Sequence, residues 1–212
     1  MEASVAVADV QSVGPDTVAI EFEAPEGFDA VPGQFVRLGA TVDGETYRRF
    51  YTLSSPGVEE TFEVTVGVDE AEGGPFSAYL AALAPGDEME MSGPFGSNYY
   101  EGESRVVVLA GGPGVGPAVA VAERALADGG EAAVVYRDDQ PAHEARLDRL
   151  RDRGASVVVT DGAVGAAVAE AVTGEAGERV FVYGFQPFVD EAVGAIDAAG
   201  GDPDAAKVES FG

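Results

Sequence analysis

The apolar pattern of this 212-residue chain changes period near residues 98–104, and that change restricts the fold more than any other feature. Before it, β-branched and apolar residues recur in short runs bounded by Gly, Pro and Asp, the pattern of strands. The runs cover residues 4–10, 17–22, 34–42, 45–53, 61–68 and 88–91. Asp43-Gly44 separates the third from the fourth as a hairpin turn would. Phe62, Val64 and Val66 alternate with polar neighbours, so the fifth run has one buried face. One helix is expected over 75–83, with Tyr79, Leu80 and Leu83 at helical spacing. Six short strands so spaced predict a closed antiparallel barrel or a sandwich.

After the change, apolar strands alternate with helices. Strands are expected at 106–110, 132–136, 156–160, 179–183 and 207–209, and helices at 117–127, 142–153, 164–172 and 187–199. That order predicts a five-stranded parallel sheet with helices on both faces. The expected domains are therefore 1–100 and 101–212.

Charge narrows the possible partners. Asp and Glu number 38 against 12 Lys and Arg, a formal net charge of -26, and Lys207 is the one lysine. The acid is spread along the chain, as on the surface of a protein that works in concentrated salt, although an acidic protein of ordinary cytosol has the same signature. Nucleic acid and anionic membranes are excluded as partners, because phosphate binding needs clustered cations. With no cysteine, disulfides, Cys-ligated zinc and Cys-ligated iron–sulfur clusters are excluded within the chain, and no metal site is expected. Met1-Glu2-Ala3-Ser4 has no basic stretch followed by an apolar run, so no signal peptide is expected. The longest uncharged stretch, 106–122, is interrupted by Gly111, Gly112, Pro113, Gly114, Gly116 and Pro117. It reads as strand, loop and helix start, so no membrane insertion and a cytoplasmic location are expected.

Three segments carry chemistry. Arg49-Phe50-Tyr51-Thr52, continued by Leu53-Ser54-Ser55-Pro56, lies on an expected barrel strand. Period-two geometry puts Arg49 and Tyr51 on one side. A guanidinium there can hold a pyrophosphate bidentately, and a tyrosine can lie against a flat ring system. Alternation sends Thr52 to the other side unless a bulge or the strand's end turns it back. The same residues also suit an ordinary strand with Phe50 in the core and Arg49 in solvent. Gly73-Gly74-Pro75-Phe76-Ser77 opens the first helix, where free N–H groups attract phosphate, or where proline simply starts a helix. Gly111-Gly112-Pro113-Gly114-Val115-Gly116-Pro117 joins the first strand of the second half to its helix, the place where α/β sheets bind dinucleotides. It does not follow G-x-G-x-x-G, so that fingerprint is not claimed.

Together these segments resemble the ferredoxin–NADP reductase superfamily over nearly the whole chain. The resemblance implies a six-stranded antiparallel Greek-key β-barrel that binds FAD, followed by a five-stranded parallel α/β domain that binds NAD(H) or NADP(H). It implies flavin contacts from Arg49, Phe50, Tyr51, Thr52, Ser54 and Ser55. It places the flavin phosphates at Gly73, Gly74, Phe76 and Ser77, and the nicotinamide nucleotide at Gly111, Gly112, Gly114, Val115 and Pro117. The family's C-G-P-x-x-M segment is similar to Tyr183-Gly184-Phe185-Gln186-Pro187-Phe188, where Gly184 matches and Tyr183 stands in place of the cysteine. Glu209-Ser210-Phe211-Gly212 is similar to the family's acid-and-aromatic ending. Tyr51, Thr52, Tyr183, Glu209 and Phe211 would then surround the reacting rings. Phe211 either covers the flavin face or frays as a last residue. Asp161, after the third strand of the sheet, favours NAD, whereas Arg137, after the second, favours NADP unless it pairs with Asp138 or Asp139. His143 and the arginines from Arg146 to Arg153 read as a solvated, salt-bridged helix. Tyr99 and Tyr100 pack the domains together or stack on adenine.

The implied activity is electron transfer from NAD(P)H through FAD to a protein acceptor, a ferredoxin or a haem protein. Three other functions use the same domains: an electron-transfer subunit like that of dihydroorotate dehydrogenase, a non-catalytic nucleotide sensor, and a free flavin reductase.

Overall fold

The computed structural model describes residues 1–68 and 74–211. Six strands, β1 (Glu2–Gly14), β2 (Thr17–Glu23), β3 (Phe35–Val42), β4 (Glu45–Thr52), β5 (Thr61–Gly67) and β6 (Glu88–Phe95), pair antiparallel in the order β4-β3-β6-β1-β2-β5. A bridge between Leu53 and Val64 brings the two edges together, so the sheet closes as a Greek-key barrel. Helix α1 (Gly74–Ala81) caps it, contributing Phe76 and Leu80 to a core with Val5, Ile20, Phe22, Leu38 and Phe62. The strands are longer than the apolar runs because edge pairing continues past the last core residue. β1, for example, stays paired with β2 out to Gly14, with register shifts between Val7 and Asp9 and between Ser12 and Gly14.

The second sheet is parallel, in the order β11-β10-β7-β8-β9. Its strands are β7 (Arg105–Gly111), β8 (Glu131–Arg137), β9 (Ser156–Thr160), β10 (Glu178–Gly184) and β11 (Lys207–Ser210). The crossover helices are α2 (Val115–Ala127), α3 (Glu144–Asp152), α4 (Gly165–Ala171) and α5 (Gln186–Ala198). α2 and α3 cover one face and α4 and α5 the other, giving two apolar clusters on either side of β7. Burial on both faces explains the unbroken apolar run Val106–Ala110.

The two sheets meet through specific contacts. Ser54 Oγ and Thr65 Oγ1 are 2.7 Å apart, and Thr65 Oγ1 is 2.8 Å from His143 Nε2, all three side chains buried. Arg146 of α3 donates to Glu63 Oε1 (2.8 Å) and the Ser54 carbonyl (2.7 Å) on the barrel, and to both oxygens of Glu123 on α2. His143 and Arg146 are therefore corrected from a solvated helix face to the centre of the interface. The signal missed was tertiary: a lone histidine in a polar helix start looks solvated until β5 lies over it. Lys207 anchors the connecting segment. Its ammonium reaches the Tyr99 carbonyl (2.5 Å), Glu101 (2.8 Å) and Glu103 (2.6 Å), and lies over the Phe181 ring. Tyr100 is buried in the core of the second sheet, so it packs as one of its two sequence readings held.

Candidate functional site

Strand β4 lies at one edge of the barrel sheet and carries the first motif. In its antiparallel register Tyr51 faces Val36 and Arg49 faces Leu38, both core residues of β3. Directly opposed side chains share a face, so Arg49 and Tyr51 lie on the barrel side together with α1. The Tyr47 ring, two residues before Arg49, stacks on Phe76 at 5.7 Å and 10°, and Phe76 stacks on Tyr79. Arg49 is exposed, and among the described residues its guanidinium meets only the Arg48 carbonyl (3.1 Å). Among the described residues no carboxylate pairs with this cation, which lies two residues from the aromatic row along β4. Burial pushes the Tyr51 hydroxyl well above the usual tyrosine range, with Arg49 acting the other way, so it stays neutral.

Phe50 does not fill the core. It opposes Arg37 on the outer face, is 62% exposed, and meets Phe35 and Phe95 edge-on. Only its backbone can serve a ligand held on the Tyr51 side. Thr52 opposes Phe35 on that same outer face, buried, with no bulge in the register to turn it back. The strand ends there, and Leu53 donates its N–H to the Gln34 carbonyl.

Several residues assigned to ligand are committed elsewhere. Ser54 belongs to the buried relay with Thr65 and His143, and Ser55 Oγ accepts the Glu63 N–H (3.2 Å). Phe76 is buried in the barrel core, and Ser77 turns its hydroxyl back to the Gly74 carbonyl (3.0 Å). At Gly74 φ is +63°, and a Cβ there would meet nothing within 4 Å. The Gly73 assignment lies outside the described residues.

The glycine-rich turn after β7 divides in the same way. A Cβ on Gly111 would stand 2.5 Å from the Phe188 ring, and one on Gly114 2.3 Å from the Tyr183 carbonyl. On Gly116 it would lie 2.3 Å from Thr65 Oγ1 and 2.5 Å from Ser54 Oγ. These glycines permit close packing against β10, α5 and the barrel. Gly112, at φ +56° with open space beside it, is the one that faces outward. Val115 and Pro117 bury their side chains, leaving backbone alone to a ligand. Short packing distances thus account for glycines that the sequence reading gave to phosphate.

At the end of β10 the Tyr183 side chain is buried, and its hydroxyl has no hydrogen-bond partner among the described residues. Burial, then Glu209 and Glu103, raise its pKa beyond the usual range. The hydroxyl abuts Gly33 of the barrel, where a Cβ would be 3.0 Å away. Gly184 packs on Phe188. Phe211 is not frayed: its N–H bonds the Gly184 carbonyl (3.0 Å) and its ring meets Phe185 edge-on. Glu209 pairs with Tyr183 across β10 and β11, and burial raises its carboxyl pKa. Asp161 is exposed beyond β9. Arg137 pairs with Glu191 of α5 rather than with Asp138 or Asp139. Asp138 instead accepts from the Tyr136 hydroxyl (2.9 Å).

The two motif regions meet on one seam. Ser54, two residues past Thr52, touches the Gly116 turn, and Gly33, two residues before Phe35, touches Tyr183. Of two surface concavities, one lies on the outer barrel face and the other at the interface of the two sheets, where Glu63 and Arg146 line it. The first, of about 330 Å³, is bordered by Arg37, Arg48, Glu90 and Ser92; the other, of about 300 Å³, lies between Glu21, Ser55, Glu123 and Arg149. At this seam a barrel edge carrying the exposed Arg49 meets the carboxyl end of a parallel sheet, the end at which α/β sheets bind ligands.

Residues 4–100 match the oxidoreductase FAD-binding domain family. That match takes in a little under half of the chain, and over its whole length the chain shares the two-domain fold of solved ferredoxin reductases. It is 32% identical over 130 residues to the electron transfer component of toluate 1,2-dioxygenase from Pseudomonas putida, covering 59% of this chain and 38% of that one. It is 40% identical over 93 residues to a probable dihydroorotate dehydrogenase B (NAD(+)) electron transfer subunit from Methanopyrus kandleri, covering 44% and 32%. These matches span about a third of the length of each of those relatives. The fold superposes on a ferredoxin NADP+ reductase from Neisseria gonorrhoeae with bound FAD and NADP at a TM-score of 0.79 and 17% identity, over 100% of this chain and 99% of that one.

Proposed function

We propose that the protein is an NAD(P)H-dependent flavin oxidoreductase that passes electrons through FAD to a protein acceptor. The observation that carries this reading is the seam itself, where the end of β4 and the carboxyl ends of β7 and β10 come together. The residues present fit a flavin dinucleotide. Arg49 has no competing carboxylate among the described residues, and Gly74 leaves open space at the α1 start. When bound, FAD supplies the conversion between hydride and single-electron transfer. Around it, Arg49 neutralises the pyrophosphate and Tyr51 supports the ring as a neutral phenol. Tyr183 and Phe211 keep water from the seam. On the second sheet the backbone at Gly112 and the α2 N-terminus hold the nicotinamide nucleotide.

An acceptor surface is also at hand. Phe50 and Phe95, two of the three exposed large apolar side chains among the described residues, meet edge-on, and the third, Met1, is joined by its backbone to Gly93, two residues before Phe95. Arg37 and Arg48 lie on that outer face, within salt-bridge distance of Glu2 (3.7 Å) and Glu90 (3.7 Å), and would meet an acidic redox protein there. The net charge of -26 supports work in concentrated salt, in the cytoplasm; no helix among the described residues is long and apolar enough to cross a membrane. The domains assigned are 1–100 and 101–212.

The similarity to a dihydroorotate dehydrogenase electron transfer subunit favours a second reading, a flavoprotein subunit of a larger complex. Anaerobic mixing of the purified protein with NADH and with NADPH tests the main one. A yellow protein that bleaches with either nucleotide is expected; a colourless protein, or a flavin that neither nucleotide bleaches, would refute it.

A further inference from the structure

Among the described residues Arg137 is the one cation that ends any of the five parallel strands, which finish at Gly111, Arg137, Thr160, Gly184 and Ser210. It pairs in register with Gly111, so it stands beside the glycine turn. Its guanidinium does not face outward. It lies over the Phe188 ring at 5.0 Å and is ion-paired with Glu191 Oε2. Both supports are fixed. Phe188 is wedged against Gly111 and Gly184, where Cβ atoms would come within 2.5 and 2.8 Å of its ring. The other oxygen of Glu191 accepts the Val164 N–H (3.0 Å) just before α4. Glu191 thus ties β8, α4 and α5 together at the rim of the sheet.

We infer that Glu191 sets the nucleotide preference toward NAD(H) by holding Arg137 out of reach of a 2′-phosphate. The inference rests on the proposed nucleotide site and adds a residue that decides its specificity. A 2′-phosphate would compete with a fixed carboxylate for the guanidinium and would meet the exposed Asp161 beyond the neighbouring strand. A free ribose hydroxyl pays neither cost. Glu191 is a positioning residue, acting through Arg137 and not by contact with the nucleotide.

Equilibrium titration with 5′-AMP and with adenosine 2′,5′-bisphosphate reads this without flavin turnover. The wild-type protein should bind 5′-AMP the more tightly. Glu191→Gln, which keeps an acceptor for Val164 while removing the charge, should tighten the bisphosphate about tenfold, the scale of one charge-assisted hydrogen bond, and change 5′-AMP little. Arg137→Gln alone should leave the ratio near the wild-type value, because the guanidinium is already engaged; added to Glu191→Gln it should cancel the gain. If Glu191→Gln is folded and the ratio does not move, the inference is wrong. If that variant does not fold, a bisphosphate affinity lowered severalfold by Arg137→Gln would show that Arg137 is already free, and would overturn it equally. Binding of neither probe by the wild-type protein would instead remove the nucleotide site itself.

Discussion

Replacing Arg146 with methionine should separate the two halves of the molecule energetically. The guanidinium makes four hydrogen bonds, two to Glu123 and one each to Glu63 and the Ser54 carbonyl. Methionine fills similar volume and leaves two carboxylates and a carbonyl without their donor. Breaking one side of a buried ion pair costs about 3–5 kcal/mol. The Glu63 side chain retains 27% exposure, so the low end, about 3 kcal/mol, is expected. For a chain of this size that is a fall of roughly 6–12 °C in melting temperature. Two of the four bonds cross from α3 to the barrel, so calorimetry should also show one transition becoming two.

The loss should depend on pH in a defined direction. Burial raises the Glu63 carboxyl pKa even with Arg146 opposing it. A carboxyl raised on folding favours the fold where it is protonated, and that contribution disappears as pH rises through the folded value. Without Arg146 the rise is larger, so the deficit should be full at neutral pH and shrink as pH falls through the carboxylate range. Calorimetry of both proteins at pH 7 and pH 4.5 measures it. A deficit under about 1 kcal/mol, the value of an exposed pair, or one equal at both pH values, would refute the buried-network reasoning.

Two further outcomes follow from individual groups. Burial, with Arg146 adding, depresses the His143 pKa from 6.5 to about 3, so unfolding takes up a proton between those values. Stability should be fully present above about pH 6.5 and fall by up to about 1.4 kcal/mol per pH unit below it, and His143→Gln should flatten that slope in denaturation curves. Arg49→Ala should stay folded and lose flavin, with affinity lower by roughly 10- to 100-fold, read as flavin absorbance per protein after gel filtration. Full flavin retention would remove its assigned role.

Periodicity alone determined the two halves of this chain, because a strand buried on one face alternates and a parallel strand buried on both does not. The runs at 61–68 and 106–110 show the two patterns directly. The positions of the Arg49–Tyr51 edge and the Gly111–Pro117 turn were also legible, since short motifs at element ends are local. What individual residues in those motifs do was not. Gly111, Gly114 and Gly116 have the composition of a phosphate loop, yet each is required by an atom from a distant segment: Phe188, Tyr183 and Thr65. Ser54 and His143 looked like a ligand contact and a solvated side chain until the barrel met α3 and joined them through Thr65. Arg137 looked available until α5 brought Glu191 beside it. Sequence fixes which groups lie along one strand or helix face; whether a group is free depends on what another element places within about 3 Å of it, which only the closed tertiary structure decides.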